Sequence, residues 1–196
     1  MPATRWEPLS LSRRLAHMPA EPPRIDYPSV FPAGVQAMAG LQRAVAAARL
    51  EPLLLELVKM RASQINGCAH CLDVHSKDAR ALGESEQRLH LLAAWRDGPC
   101  YDARERAALA WCEHLTLISD AGAPDAVYEK LEESFSAKEI VALTLAIVAI
   151  NGWNRLAISM RAPVGAYASP HRPDVKPSRP GSHHIGPTGT HAKQER

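Results

Sequence analysis

Cys68 and Cys71 stand three residues apart in the stretch ELVKMRASQINGCAHCLDVH, and His75 follows four residues after the second cysteine. With about 3.6 residues per helical turn, offsets of three, four and seven fall on one face, so the two thiols and the imidazole line a single stripe. Asn66-Gly67, a strong turn dipeptide, comes directly before them and places the cysteines in the first turn of a new helix. Unpaired N–H groups and the positive end of the helix dipole stabilise a thiolate there. His75, one turn further on, can take or relay the proton. Glu56 lies on the preceding helical segment, and a helix–turn–helix return carries it back toward His75. A carboxylate, an imidazole and two thiols form a constellation for thiol redox chemistry.

Two other uses of the same residues compete with that one. A CxxC is often half of a zinc site, but the usual second CxxC or HxxxH is missing: Cys100 and Cys112 are twelve apart, and His90 and His114 are isolated. A mononuclear site from Cys68, Cys71, His75 and Glu56 is the remaining metal reading. The cysteines could also be inert core residues, although His70 and Asp73 make their surroundings polar for that. Glu56 itself is flanked by leucines, where an acid most often faces solvent. Only its relation to the Cys/His stripe raises it above that. The expectation is therefore a redox dithiol without metal or other cofactor.

Composition narrows the class. The 196 residues, 46% of them hydrophobic, are enough for one domain with a real core. Residues 34–162 hold 14 Lys+Arg against 16 Asp+Glu, so the formal surplus of +2 sits in the two ends. A nucleic-acid-binding core would need a cationic face, which this count does not offer. Four cysteines with one close pair do not make a secreted disulfide framework. The first nineteen residues carry no apolar core of a secretory signal, and the longest apolar run, Ile140 to Ile150, is short for a bilayer span. A soluble, cytoplasmic protein that binds neither nucleic acid nor membrane is the expectation.

The elements that must hold the site follow in order. Residues 1–33 contain seven of the sixteen prolines and read as an extended arm, with Trp6, Leu9, Leu11, Leu15 and Tyr27 as anchors. From Gly34 an Ala/Leu-rich helical texture begins, and Glu51-Pro52 opens the next helix. The cysteine helix runs to a Gly83 cap, and a short helix spans Ser85 to Trp95. Asp102 with Glu105, and Ser136 with Glu139, are capping boxes that open two more helices. A modest helix over Asp125–Ser134 lies between them, and the last helix runs to about Met160. That helix is apolar nearly all round at its centre, which implies burial between helices or at a subunit interface. Asn151, Asn154 and Arg155 near its end read either as helix surface or as contacts to the dithiol pocket. Residues 163–196 hold six prolines and His171, His183, His184 and His191, which could bind a metal weakly, but their irregular spacing and the lack of cysteines favour a solvated, flexible tail. Strand signals are nearly absent, so the body is all-α.

These residues resemble the carboxymuconolactone decarboxylase-like superfamily, and within it the alkylhydroperoxidase D (AhpD-like) branch. The resemblance rests on Glu56, eleven residues, Cys68-Ala-His-Cys71, three residues and His75. Residues 61–68, Ala79-Arg-Ala-Leu-Gly83 and Trp153-Asn-Arg155 reinforce it. It covers roughly residues 35–162 and neither end. The decarboxylase branch proper typically lacks the dithiol, so the likeness favours peroxide chemistry over lactone decarboxylation.

The resemblance implies an AhpD-like helical bundle that assembles as a trimer or hexamer. It implies Cys71 as the peroxidatic thiol, deprotonated through His75 by Glu56, and Cys68 as the resolving thiol. His70 tunes the relay, and a dithiol reductant, thioredoxin-like or a lipoyl carrier, regenerates the pair. Helix geometry alone lets either cysteine attack, and the dipole argument favours Cys68. A protein disulfide oxidoreductase and a non-catalytic, redox-sensing oligomer are the alternative readings.

Overall fold

The computed structural model describes residues 21–171, in which every regular element is helical. The arm residues 1–20, with anchors Trp6, Leu9, Leu11 and Leu15, lie outside the described residues, as do tail residues 172–196 with His183, His184 and His191. The helices are α1 (Tyr27–Val30), α2 (Pro32–Ala47), α3 (Pro52–Asn66), α4 (Ala69–Ala81), α5 (Glu86–Leu91), α6 (Ala103–Thr116), α7 (Ile118–Ala121), α8 (Asp125–Glu132) and α9 (Ala137–Met160).

Helix starts follow the local chemistry. Pro28, Pro32 and Pro52 occupy first-turn positions, where the missing N–H costs nothing. Pro32 thus begins α2 two residues earlier than the change in texture at Gly34 suggests. The same rule lets the proline-rich stretch form the single turn α1. Both capping boxes form, at Asp102/Glu105 and Ser136/Glu139. The expected helix over Ser85 to Trp95 is shorter, ending at Leu91 and tightening into a 3₁₀ turn over Leu92–Ala94.

α3 is the central element. Leu54, Leu55, Val58 and Ala62 join one apolar cluster with α6 and α9, while Leu57 and Met60 join a second with Leu89, Leu92, Trp95 and Leu109. A helix buried on both sides has no free face for an acid, so Glu56, 5% exposed, lies inside. α9 packs against α2, α3, α4 and α6. A Cβ on Gly152 would meet Met38 Cε at 2.7 Å, so the glycine leaves room for the end of that flexible side chain between α2 and α9. By length and composition α9 could cross a bilayer, but 56% of its most apolar window is buried against the other helices. Val141, Leu145 and Val148 form an exposed apolar stripe on its remaining face. Arg104 Nη2 reaches Glu51 at 3.1 Å and Glu139 at 2.6 Å, tying the starts of α3 and α9 to α6.

Beyond Met160 the helical texture stops. Residues 163–167 are nevertheless held against α4, through Gly165 N–H on Asp73 Oδ2 (3.0 Å) and Lys77 Nζ on Tyr167 O (2.9 Å).

Candidate dithiol active site

The site is assembled at the turn between α3 and α4. Gly67 adopts φ 68°, a left-handed conformation that glycine takes without steric cost. Cys68 N–H donates to Ser63 O (2.9 Å) and Gly67 N–H to Gln64 O (3.3 Å), the paired bonds of a Schellman closure. That closure reverses the chain and delivers Cys68 as the N-cap of α4.

Cys71 is the third residue of α4, and its backbone N–H donates to Cys68 Sγ at 3.4 Å. The two Sγ atoms are 2.8 Å apart, and both thiols are free and buried. The hydrogen bond from Cys71 draws the Cys68 thiol down to about 6, against its burial; the Cys71 amide, the His70 ring and Asn154 add to the effect. The same bond raises Cys71, reinforced by burial and the Cys68 charge. The two thiols thus titrate as a pair, with the Cys68 end drawn down and the Cys71 end drawn up.

Glu56 and His75, nineteen residues apart, meet at 2.8 Å between Oε2 and Nδ1. A carboxylate only accepts, so Nδ1 carries the hydrogen of this bond, and in the neutral ring the other nitrogen has its lone pair to receive a proton. Glu56 Oε1 accepts from Lys59 Nζ at 2.7 Å. Burial would raise the Glu56 carboxyl, but His75 and Lys59 outweigh it and hold it below the ordinary value. No hydrogen bond joins Cys71 to His75 among the described residues; they are neighbours one turn apart on α4. His70 lines the same cleft but makes no hydrogen bond to Glu56 or His75. Its Nδ1–H donates to Pro163 O at 2.6 Å, and its charge acts on Cys68.

A cleft of about 150 Å³ opens on Cys71 and His75, walled by Tyr27, Val74, Trp153 and Ala157 with Gln42 and His70 at its polar edge. Tyr27, an arm residue, closes one side. Burial raises its phenol, and charge on Cys71 and Cys68 adds to that. The buried indole N–H of Trp153 has no partner among the described groups.

α9 supports the cysteines from behind. Asn154 is fully buried, donates to Ser63 Oγ (3.0 Å) and accepts from Asn66 Nδ2 (2.8 Å). Asn151 accepts from Asn66 at 2.9 Å and donates to Thr116 Oγ1 at 3.1 Å. Of the late polar trio, Asn151 and Asn154 therefore reach the turn that carries the dithiol, whereas the exposed Arg155 bonds back to Asn151 O at 2.8 Å. Ser63, Asn66 and Asp78 were not evident as site residues from sequence. Asp78 carried a usable signal, since it continues the Cys71–His75 stripe three residues on.

Glu56, His75 and Asp78 place ligand atoms within 4.8 Å of one another, the set able to share a cation. Each is already engaged, Glu56 by Lys59 and His75, Asp78 by the Tyr167 hydroxyl at 2.9 Å. Neither sulfur belongs to that set, unlike the ligand group weighed from sequence.

Residues 32–114 match the profile of the Carboxymuconolactone decarboxylase family. The uncharacterized protein YdfG of Bacillus subtilis is 39% identical over 137 residues, covering 70% of this chain and 93% of YdfG. A protein of unknown function from Agrobacterium tumefaciens, described as an AhpD-type candidate for antioxidant defence, superposes with TM-score 0.72 at 42% identity. The match covers 74% of this chain and all of that one. The debrominase Bmp8 shares the fold alone, at 21% identity and TM-score 0.62, over 69% of this chain and 73% of its own.

Proposed function

The chain belongs to the carboxymuconolactone decarboxylase family, and we propose that within its AhpD-like branch it reduces hydroperoxides through the Cys68–Cys71 dithiol. The observation that carries this reading is the juxtaposition of two free, hydrogen-bonded thiols with a carboxylate-held imidazole at a cleft.

The hydroperoxide enters the cleft beside Cys71, against the Trp153 side chain. Cys71 passes its proton to the free ring nitrogen of His75, and Glu56 stabilises the imidazolium through Nδ1–H. The Cys71 thiolate attacks the terminal peroxide oxygen, the O–O bond breaks, and the alkoxide leaves with the proton from His75 as an alcohol. Cys71 is now a sulfenic acid. Cys68, the N-cap of α4, attacks the Cys71 sulfur as a thiolate and expels hydroxide, which takes up a proton to become water. An external dithiol, in the cytoplasm a thioredoxin-like protein or a lipoyl carrier, restores the pair. It attacks the sulfur of Cys71, because Cys68 is the better leaving thiolate and Cys71 is the one at the cleft. The sum is one hydroperoxide and one dithiol converted to alcohol, water and one disulfide.

This assigns the two sulfurs different tasks for a physical reason. Acidity favours Cys68, as its cap position suggests, while access to the cleft and to His75 favours Cys71. Incubation with cumene hydroperoxide and a dithiol reductant tests the reading. Cys71→Ser is expected to abolish consumption, and Cys68→Ser to complete one turnover and stall as a sulfenic or over-oxidised species seen by mass spectrometry. Full turnover by both variants would end this assignment.

A further inference from the structure

The residues just past α9 lie along α4 as a strap. Pro163 O accepts from His70, Gly165 N–H bonds Asp73, and Lys77 holds the carbonyls of Gly165 and Tyr167. The strap delivers the half-buried Tyr167, whose hydroxyl donates to Asp78 and lies 2.9 and 3.1 Å from its two oxygens. Among the described residues this hydroxyl is the one hydrogen-bond donor on the Asp78 carboxylate.

Asp78 is itself buried, three residues beyond His75 on the same helix. One of its oxygens lies within 4.8 Å of a His75 ring nitrogen and of a Glu56 oxygen, yet no hydrogen bond joins it to either residue. Two buried carboxylates thus stand beside one imidazole. Glu56 holds Nδ1, and the other nitrogen must stay open if it is to receive the Cys71 proton. A buried carboxylate without a donor is costly, and a freed Asp78 would favour the imidazolium, whose second N–H can replace the phenol, over the neutral ring that Cys71 needs.

We propose that Tyr167 is a positioning residue whose hydroxyl holds Asp78 off His75 and so leaves the second ring nitrogen free for Cys71. The inference rests on reading His75 as the proton acceptor of the dithiol. It gives the segment beyond α9 a part in the chemistry: the strap restrains a competing carboxylate.

Two rates report on it: alkylation of Cys71 by iodoacetamide, followed by peptide mass spectrometry, and kcat for tert-butyl hydroperoxide with a dithiol reductant. Tyr167→Phe keeps the ring and removes the hydroxyl, and is expected to slow both about tenfold while KM stays within about twofold. Adding Asp78→Ala removes the competitor and is expected to restore both rates to within about threefold of the unmodified protein. A strap that mattered only for folding would give additive losses instead. Asp78→Asn, which keeps an acceptor for the phenol without the charge, is expected to stay within about threefold as well.

Unchanged rates in Tyr167→Phe, additive losses in the double variant, or a loss in Asp78→Asn as deep as that in Tyr167→Phe each overturn the proposal. His75→Gln separates this idea from the one beneath it. If that variant alkylates Cys71 at the unmodified rate, the relay reading itself fails. If it is slow while Tyr167→Phe is not, only the role of Tyr167 falls.

Discussion

Asn66 Nδ2 and Asn154 Oδ1 meet at 2.8 Å, joining the last residue of α3 to the C-terminal part of α9 across 88 positions of sequence. The bond fixes the turn that aims Cys68 to the helix packed behind it. Asn154 Nδ2 continues the chain to Ser63 Oγ, which in turn donates to Lys59 O at 2.7 Å. Two helices and the dithiol turn therefore share one polar seam through an apolar interior.

Removal of that seam is expected to be expensive. Asn154→Ala strips a fully buried amide and leaves Ser63 and Asn66 with unmet groups. A loss of about 2–3 kcal/mol in urea unfolding is expected, in the range for a broken buried network. The same variant should raise the Cys68 titration point, because Asn154 helps to hold it down.

Glu56→Gln keeps an acceptor for His75 Nδ1–H but removes the charge that stabilises the imidazolium. Hydroperoxide turnover is expected to fall about a hundredfold, the scale of a general-base contribution. Circular dichroism should show the fold intact. Wild-type-like turnover in this variant would remove the carboxylate from the reaction.

The thiols supply a pH signature. Cys68 is lowered from 9.0 to about 6 in the folded protein, so the folded state binds fewer protons than the unfolded chain between those values. Stability of the reduced protein should therefore rise from about pH 6 toward pH 9, and the gain should be lost as pH falls through about 6. Ultraviolet thiolate absorbance and thermal unfolding against pH should show the effect, and Cys68→Ser should flatten both curves. The buried Cys112, pushed up to about 12 by its surroundings, contributes nothing in that window.

Val141, Leu145 and Val148 recur every three or four residues on the outer face of α9, a stripe that self-association would cover. The protein is expected to sediment as an oligomer, and Leu145→Lys with Val148→Lys to shift it toward monomer without loss of helical signal. A monomeric wild-type protein at micromolar concentration would remove the interface.

Much of this was legible in the amino-acid sequence, and the exceptions have a common cause. Capping boxes, first-turn prolines and the Asn66-Gly67 turn are local signals, and each placed its helix to within a few residues. The approach of Glu56 to His75 was legible because one tight turn joins the helices that carry them. Glu56 looked like a surface acid only while α3 was taken alone; its burial comes from helices packed on both sides. Asn154 stood out as a polar residue after a buried run, but its partners Ser63 and Asn66 lie 91 and 88 residues away, and no local pattern points to them. Tyr167 sits where the helical texture has ended, so neither periodicity nor propensity could bring it to Asp78.

α9 follows the α3–α4 hairpin in the chain, while the hairpin's turn at Gly67 closes with backbone bonds of its own. During synthesis the acid, the imidazole and both sulfurs can assemble long before residues 137–160 leave the ribosome. Until that helix docks, the sulfurs lack their rear wall and stand open to oxidants. The yield of reduced protein is therefore expected to depend on how reducing the compartment is between the synthesis of α4 and that of α9.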